Sequence, residues 1–127
     1  MIDHMSVHVS DLRRSRDFYL AALAPIGYAV LHTFPDHGEP IGLGLGLDGK
    51  PDLWLVQGPT AHAQHLALRA PTRKLVAAFH AAALAAGGRD NGGPGVRAHY
   101  HASYYGAFVL DPDGHNLELC CHEPYIE

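Results

Sequence analysis

The sequence repeats itself, and this repeat limits the possible folds more than any other feature of the chain. When His4 is aligned with His65, the alignment continues without a gap through one helical segment of each half. Further along, after small shifts in register, Leu53-Trp54-Leu55 aligns with Leu117-Glu118-Leu119. Agreement at strand and helix positions together indicates an internal duplication. The chain is therefore predicted to contain two copies of one structural unit, at about residues 1–57 and 62–122.

Each copy is predicted to contain a strand, a helix and three further strands. Apolar alternation indicates the strands, and a capping residue before an apolar stripe that ends at glycine or proline indicates the helices. The predicted helices begin at Ser10 or Asp11 and at Pro71-Thr72, and they run to about Ala24 and Ala86. The predicted strands are 5–9, 28–33, 41–47 and 52–57 in the first copy, and 66–70, 96–101, 104–110 and 115–120 in the second. Two βαβββ units of this kind make an α+β fold.

Strand alternation assigns each side chain to one of two sheet faces. In the 41–47 strand the apolar side chains pack on the helix, while Gly42, Gly44 and Gly46 leave the other face hollow. The repeat aligns Leu45-Gly46-Leu47 with Phe108-Val109-Leu110, and the same register aligns Gly42 with Tyr105. Tyr105 is therefore predicted to face the hollow, where it either donates a hydrogen bond to a ligand or packs as a core tyrosine.

The same alternation places His4, His65 and Glu118 on the hollow face. A pseudo-twofold axis between the two copies would bring the two histidines close together. Two neutral imidazoles and one carboxylate make a three-donor set for a divalent metal ion and leave coordination positions for water or substrate. The predicted cofactor is one divalent ion, Fe, Mn, Ni or Zn. The alternative is three unrelated polar residues on one sheet face.

The composition excludes several other classes of protein. The formal net charge is −4, and no run of Lys or Arg marks a nucleic-acid or membrane surface. No apolar stretch approaches the length of a membrane span, and the N-terminus lacks the pattern of a signal peptide. Cys120 and Cys121 are adjacent, which places them poorly for a disulfide with each other. These features predict a cytoplasmic protein that binds neither nucleic acid nor membrane.

A specific motif lies near the end of the chain, where an Asp-Pro-Asp-Gly turn at 111–114 is followed four residues after its glycine by Glu118. Further motif segments are Asp3-His4, residues 9–12, Ser15 with Phe18-Tyr19, His65-Leu66-Ala67 and residues 108–110. On these segments, over nearly its whole length, the chain resembles the vicinal oxygen chelate superfamily. That superfamily includes glyoxalase I, extradiol dioxygenases, fosfomycin-resistance thiol transferases and bleomycin-binding proteins.

This resemblance implies a fold in which the paired units form a cupped, partly open, eight-stranded mixed barrel around a metal ion. It implies that His4 is the first-strand ligand, that His65 is its counterpart and that Glu118 is the last-strand ligand. Glyoxalase I usually has a second glutamate at the position of Trp54, and tryptophan can neither ligate a metal nor act as a base. The resemblance also implies a homodimer, whose halves pair within one chain or are exchanged between two chains.

Several other residues are candidates for a site over the metal. The candidate catalytic residues are His99 and Tyr105, and the candidate substrate-binding residues are His8, Trp54, Arg97, Tyr100 and His101. The candidates between residues 87 and 103 lie in one Gly/Pro-rich loop, which either holds an anionic or aromatic substrate or is solvated. Trp54 is either a stacking wall for substrate or a cavity filler. His8 shares the strand face of His4 and is a neighbour of the site rather than a fourth ligand.

Two functional hypotheses follow, from different classes of protein. The first is a metal-dependent enzyme that chelates a small substrate through two adjacent oxygens, with dioxygenase-type or lyase- and transferase-type chemistry. The second is a non-catalytic protein of the bleomycin-resistance type that sequesters a drug or metabolite. The three convergent donors favour the enzyme, and Trp54 with the negative net charge is compatible with sequestration. A third possibility is that the donor set survives in a protein that has lost its activity.

Overall fold

Two helices and nine short strands make up the fold in the computed structural model, which describes residues 1–124. The first half contains β1 (Met5–Val9), α1 (Leu12–Leu23), β2 (Ala29–Phe34), β3 (Gly42–Leu47) and β4 (Lys50–Gln57). The second half contains β5 (His65–Arg69), α2 (Arg73–Ala85), β6 (Arg89–Asp90), β7 (Gly95–Val96), β8 (Tyr105–Leu110) and β9 (Asn116–Cys121). Neither helix is long and apolar enough to cross a membrane.

Side-chain caps fix where the two helices begin. The Asp11 side chain accepts a hydrogen bond from the Arg14 amide, and the Thr72 hydroxyl accepts one from the Leu75 amide. The first helix tightens into a short 3-10 turn and stops at Gly27, whose φ of 83° is a conformation that glycine adopts without strain. The predicted caps and stops are therefore confirmed to within one residue.

The strands form two separate sheets, each built from one half of the chain. The first sheet has the order β1-β4-β3-β2, and the second has the order β5-β9-β8-β6 with β7 also paired to β8. β1 runs parallel to β4, as β5 does to β9, and the other pairs are antiparallel. The predicted α+β class is confirmed, and the sheets are cupped without closing into a barrel.

One predicted strand of the second half is wrong. Of residues 96–101 only Val96 lies in a strand, because the glycine- and proline-rich stretch at 92–95 divides the backbone into the two-residue strands β6 and β7. The following residues 97–104 form a loop closed by its own backbone hydrogen bonds. The Arg97 amide donates to the Tyr104 carbonyl at 2.7 Å, and the Tyr104 amide donates to the His101 carbonyl at 3.1 Å.

The predicted direction of Tyr105 is also wrong. In β8, Phe108 pairs with Glu118 and Gly106 with Cys120, so these residues share the hollow face. Tyr105 lies on the opposite face, packed against the core. The error comes from a bulge in the first half, where Gly46 pairs with Pro51 instead of continuing the register. Before the bulge, the equivalent of Gly42 is therefore Gly106 and not Tyr105.

A single core holds the two halves together. Both sheets turn their apolar faces to the same cluster, which contains Val7 and Leu55 from the first sheet and Leu117 from the second. Both helices contribute to it, with Phe18 from α1 and Phe79 from α2. Because both apolar faces pack into this core, the two hollow faces lie on its outside. The predicted meeting of His4 and His65 within one chain is not seen, since His65 contacts Glu118 and His4 contacts Asp3.

Polar contacts across this junction come from the turn between β8 and β9. The buried Asp111 carboxylate accepts a hydrogen bond of 2.6 Å from the Tyr19 hydroxyl. The buried His115 ring donates to the His8 carbonyl at 2.8 Å and accepts from the Gln64 amide at 3.0 Å. The Asp-Pro-Asp-Gly turn thus helps to fix the two halves against each other.

Candidate metal and ligand site

Two of the three predicted metal ligands meet on the hollow face of the second sheet. His65 begins β5 opposite Asn116 of β9, and Glu118 lies two residues further along β9 on the same face. His65 Nε2 is 3.0 Å from Glu118 Oε1, and the His65 side chain is 55% exposed while the Glu118 side chain is 3% exposed. One nitrogen and one carboxylate oxygen therefore converge at an open surface, which suits a divalent metal ion.

Tyr104 is part of this site, although sequence reasoning selected its neighbour Tyr105. The Tyr104 hydroxyl donates a short hydrogen bond to Glu118 Oε2. Burial first, and then this hydrogen bond, raise the pKa of the Tyr104 phenol above its ordinary value. Tyr104 therefore stays a protonated donor that leaves Glu118 Oε1 turned toward His65. The correct register of β8 places Tyr104 on the hollow face. The bulge in the first half shifts the repeat alignment by one residue, so the sequence alone points to Tyr105 instead.

The 97–104 loop adds an aromatic wall beside Glu118. The Tyr100 and Tyr104 rings contact edge to face with centroids 4.9 Å apart, and His99 lies 4.2 Å from Tyr100. His101 Nε2 is 2.8 Å from His122 Nδ1, and the two imidazole rings are stacked. The predicted loop residues His99, Tyr100 and His101 are therefore grouped near the site. None of these three loop side chains makes a direct hydrogen bond to Glu118.

Arg97 is held by the loop itself. Its guanidinium donates to the carbonyls of Gly93 and Gly95 and lies 5.4 Å from the centroid of the Phe108 ring, on the hollow face. These contacts fix the side chain at the edge of the site, so that a ligand anion would compete with two backbone carbonyls for the same donors.

Tyr105 has no place in this site. Its ring lies on the core side of β8, with the Arg73 guanidinium 5.1 Å from the ring centroid. Tyr104, and not Tyr105, makes a hydrogen bond at this site.

The hollow face of the first sheet carries Trp54 and His8. Trp54 pairs with Gly44, and a Cβ atom added to Gly44 would lie only 2.9 Å from the indole ring, so the indole needs glycine beneath it. His32 contacts the indole edge at a centroid distance of 5.6 Å. His8 is exposed on the same strand face, next to Gly58. This face therefore presents an aromatic surface in which the Trp54 indole lies over Gly44.

His4 lies on the first half and does not contact the His65–Glu118 pair. Its Nδ1 atom is 2.6 Å from Asp3 Oδ1, and Lys50 also contacts Asp3. Within residues 1–124 no three His, Cys, Asp or Glu side chains are arranged to hold one metal ion. A single chain therefore brings together two donors of the predicted set, and the third donor faces outward on the other half.

The chain also matches a family of known proteins. Residues 1–119 match the Glyoxalase/Bleomycin resistance protein/Dioxygenase superfamily. No curated protein matches the sequence.

Solved structures agree on the fold. A glyoxalase/bleomycin resistance protein from Albidiferax ferrireducens T118 is 24% identical, with a TM-score of 0.75 over 95% of this chain and 98% of that one. A glyoxalase/bleomycin resistance protein/dioxygenase family enzyme from Burkholderia phytofirmans PsJN is 19% identical, with a TM-score of 0.71 over 96% and 98%. The E144Q mutant of glyoxalase I from Zea mays is 24% identical, with a TM-score of 0.68 over 94% of this chain and 46% of that one.

Proposed function

Because the chain belongs to the glyoxalase/bleomycin resistance protein/dioxygenase superfamily, we propose that it is a metal-dependent enzyme whose site is completed by a second copy of the chain. In the proposed homodimer, His65 and Glu118 of one copy bind a divalent ion together with His4 of the partner subunit. The observation that carries this proposal is the contact between the exposed His65 and the buried Glu118, whose donor atoms are 3.0 Å apart.

The separation of His4 from the other two donors supports a site between chains. His65 contacts Glu118, whereas His4 contacts Asp3, and within residues 1–124 the three donors are not grouped around one position. A twofold axis between two copies can bring the His4 face of each copy to the His65–Glu118 face of the other, because such an interface uses the same surfaces on both subunits. Two such sites would form in each dimer.

The proposed substrate is a small molecule that chelates the metal through two adjacent oxygens. The ion would act as a Lewis acid for these oxygens, and Fe(II) would in addition permit oxygen chemistry. Tyr104 keeps one Glu118 oxygen occupied, so the other is directed at the metal position. Trp54 occupies the position at which a proton-transfer isomerisation would need a second carboxylate. We therefore propose dioxygenase-type or lyase- and transferase-type chemistry, in the cytoplasm, without a nucleic-acid or membrane partner.

Subunit mixing tests this proposal. His4→Ala and Glu118→Gln chains carrying two different tags, neither of them polyhistidine, are coexpressed, and the mixed dimer is isolated by both tags. One of its sites then carries both substitutions, while the other keeps all three donors. We expect about one ion per mixed dimer, and none in either variant alone. If every site lay within one chain, the mixed dimer would also be empty.

A second candidate function is sequestration of a drug or metabolite without catalysis. The observation that favours it is the flat Trp54 surface over Gly44, together with the aromatic 97–104 loop. Metal analysis of the purified parent chain separates the two candidates. A parent that contains no metal and binds no added Fe, Mn, Ni or Zn would contradict the enzyme proposal and favour sequestration.

A further inference from the structure

A cleft on the core side of the first sheet lies apart from the proposed metal site. It opens between the start of α1 and the start of β3, and its volume is about 620 Å³, within the usual range for small-molecule sites. Its lining includes Asp11, Leu12, Arg13 and Arg16 on the helix side, and Glu39, Ile41 and Leu43 on the sheet side.

The second half of the chain shows what fills the equivalent space. The Gln57 amide bonds to the Ile41 carbonyl, just as Tyr105 pairs with Cys121 in the second sheet. Ile41 and Tyr105 are therefore equivalent positions of the two units. In the second half the Tyr105 ring packs against the core, with a guanidinium 5.1 Å from its centroid.

The first half lacks this aromatic ring. Ile41 is 49% exposed and does not close the space between helix and sheet. Leu12, the first residue of α1, is buried and forms an apolar wall, and Leu43 forms another. The cleft is thus the space that a tyrosine side chain occupies in one copy of the duplicated unit and leaves open in the other.

We propose that this cleft binds a small molecule through an uncharged phenol ring. The ring would lie on Ile41 and Leu43, as the Tyr105 ring lies on its own sheet. The lining carries two arginines, Arg13 and Arg16, and two acidic residues, Asp11 and Glu39, so its formal charges cancel. A rim without net charge favours an uncharged ring over an aromatic acid.

The test uses 4-methylphenol, the side-chain analogue of tyrosine, as the probe. In a two-dimensional amide NMR titration of the intact chain, we expect millimolar binding, as is usual for so small a ligand. The shifts should centre on Leu12, Ile41 and Leu43. The Ile41→Tyr variant should weaken this binding by about tenfold or more, because its own ring occupies the cleft.

Val96→Tyr is the matched control, since Val96 is 48% exposed and lies on β7 of the other half. It should bind the probe as the parent does. A parent that does not bind 4-methylphenol would overturn the proposal, and so would shifts centred on Trp54 or Tyr104 instead of the cleft. Undiminished binding to a folded Ile41→Tyr variant would overturn it as well. None of these results depends on metal content, so they leave the subunit-mixing test unaffected.

Discussion

The Tyr104 hydroxyl donates a hydrogen bond to Oε2 of Glu118, and this bond leaves Oε1 free to meet His65 Nε2 at 3.0 Å. The adjacent Tyr105 points to the other side of the same strand, into the core. One position along β8 therefore decides whether a tyrosine belongs to the proposed metal site.

Removal of the Tyr104 hydroxyl should weaken metal binding. Partners that orient a ligating carboxylate typically contribute about 10- to 100-fold to metal affinity. We expect Tyr104→Phe to lose affinity for Zn²⁺ within that range, measured by calorimetry on the dimer. Tyr105→Phe is the matched control and should retain the affinity of the parent. Equal affinities for the two variants would show that the Tyr104 hydroxyl does not position Glu118.

The register error at Tyr105 shows which features of the fold can be predicted from the sequence alone and which cannot. Local signals were sufficient for the helix caps at Asp11 and Thr72 and for the facing of Glu118 on β9, because capping and alternation act within a few residues. The bulge at Gly46 and Pro51 depends on backbone pairing, and no residue pattern in the sequence indicates it. A slip of one residue then exchanges the two faces of a strand.

The packing of the two halves against each other could not be predicted from local sequence patterns, for a different reason. Each unit has one apolar face, and the sequence of a unit does not say which other unit will cover it. In the structure the apolar faces cover each other within one chain, through contacts such as Phe18 and Val109 around Gly88. The three-donor site predicted from symmetry is therefore split, and only its His65–Glu118 part is assembled by the chain itself.

Gly88 should be intolerant of any side chain. A Cβ atom at this position would lie 2.4 Å from Val109 Cγ1, 2.8 Å from Phe18 Cε2 and 2.9 Å from the Ala83 carbonyl oxygen. These neighbours are core atoms and backbone, so Gly88→Ala should lower the free energy of unfolding by about 1–3 kcal/mol, measured by urea denaturation. Gly93→Ala, where a Cβ would meet nothing within 4 Å, should change it by less than about 1 kcal/mol. Similar losses in both variants would contradict this account.

The buried Tyr19–Asp111 contact should make the fold sensitive to alkali. Burial and the neighbouring Asp111 carboxylate raise the pKa of the Tyr19 phenol well above its ordinary value of 10.0. Above pH 10 the unfolded chain releases this proton while the folded chain keeps it. The unfolded state then binds fewer protons, so stability falls as pH rises.

Tyr19→Phe separates this effect from general alkaline denaturation. At neutral pH it should cost about 1–3 kcal/mol, because Asp111 is left buried with one hydrogen bond fewer. Above pH 10 its stability should fall less steeply than that of the parent, as followed by urea denaturation across pH. Tyr100→Phe, which alters a tyrosine that is 58% exposed, should follow the parent at every pH. A parent and Tyr19→Phe with parallel pH profiles would rule out Tyr19 as the titrating group.

A carboxylate at position 54 should strengthen metal binding in the dimer. Trp54 and Glu118 are equivalent positions of the two units, and His4 is equivalent to His65. Trp54→Glu therefore recreates beside His4 the pairing that Glu118 makes with His65, and adds a fourth protein donor near the proposed ion. We expect Zn²⁺ affinity to rise by about tenfold, or ~1.4 kcal/mol, relative to Trp54→Gln. The glutamine variant has the same shape without the charge, so it controls for loss of the indole. If the two variants bind Zn²⁺ equally, then His4 and position 54 do not share a metal site with His65 and Glu118 of the partner subunit.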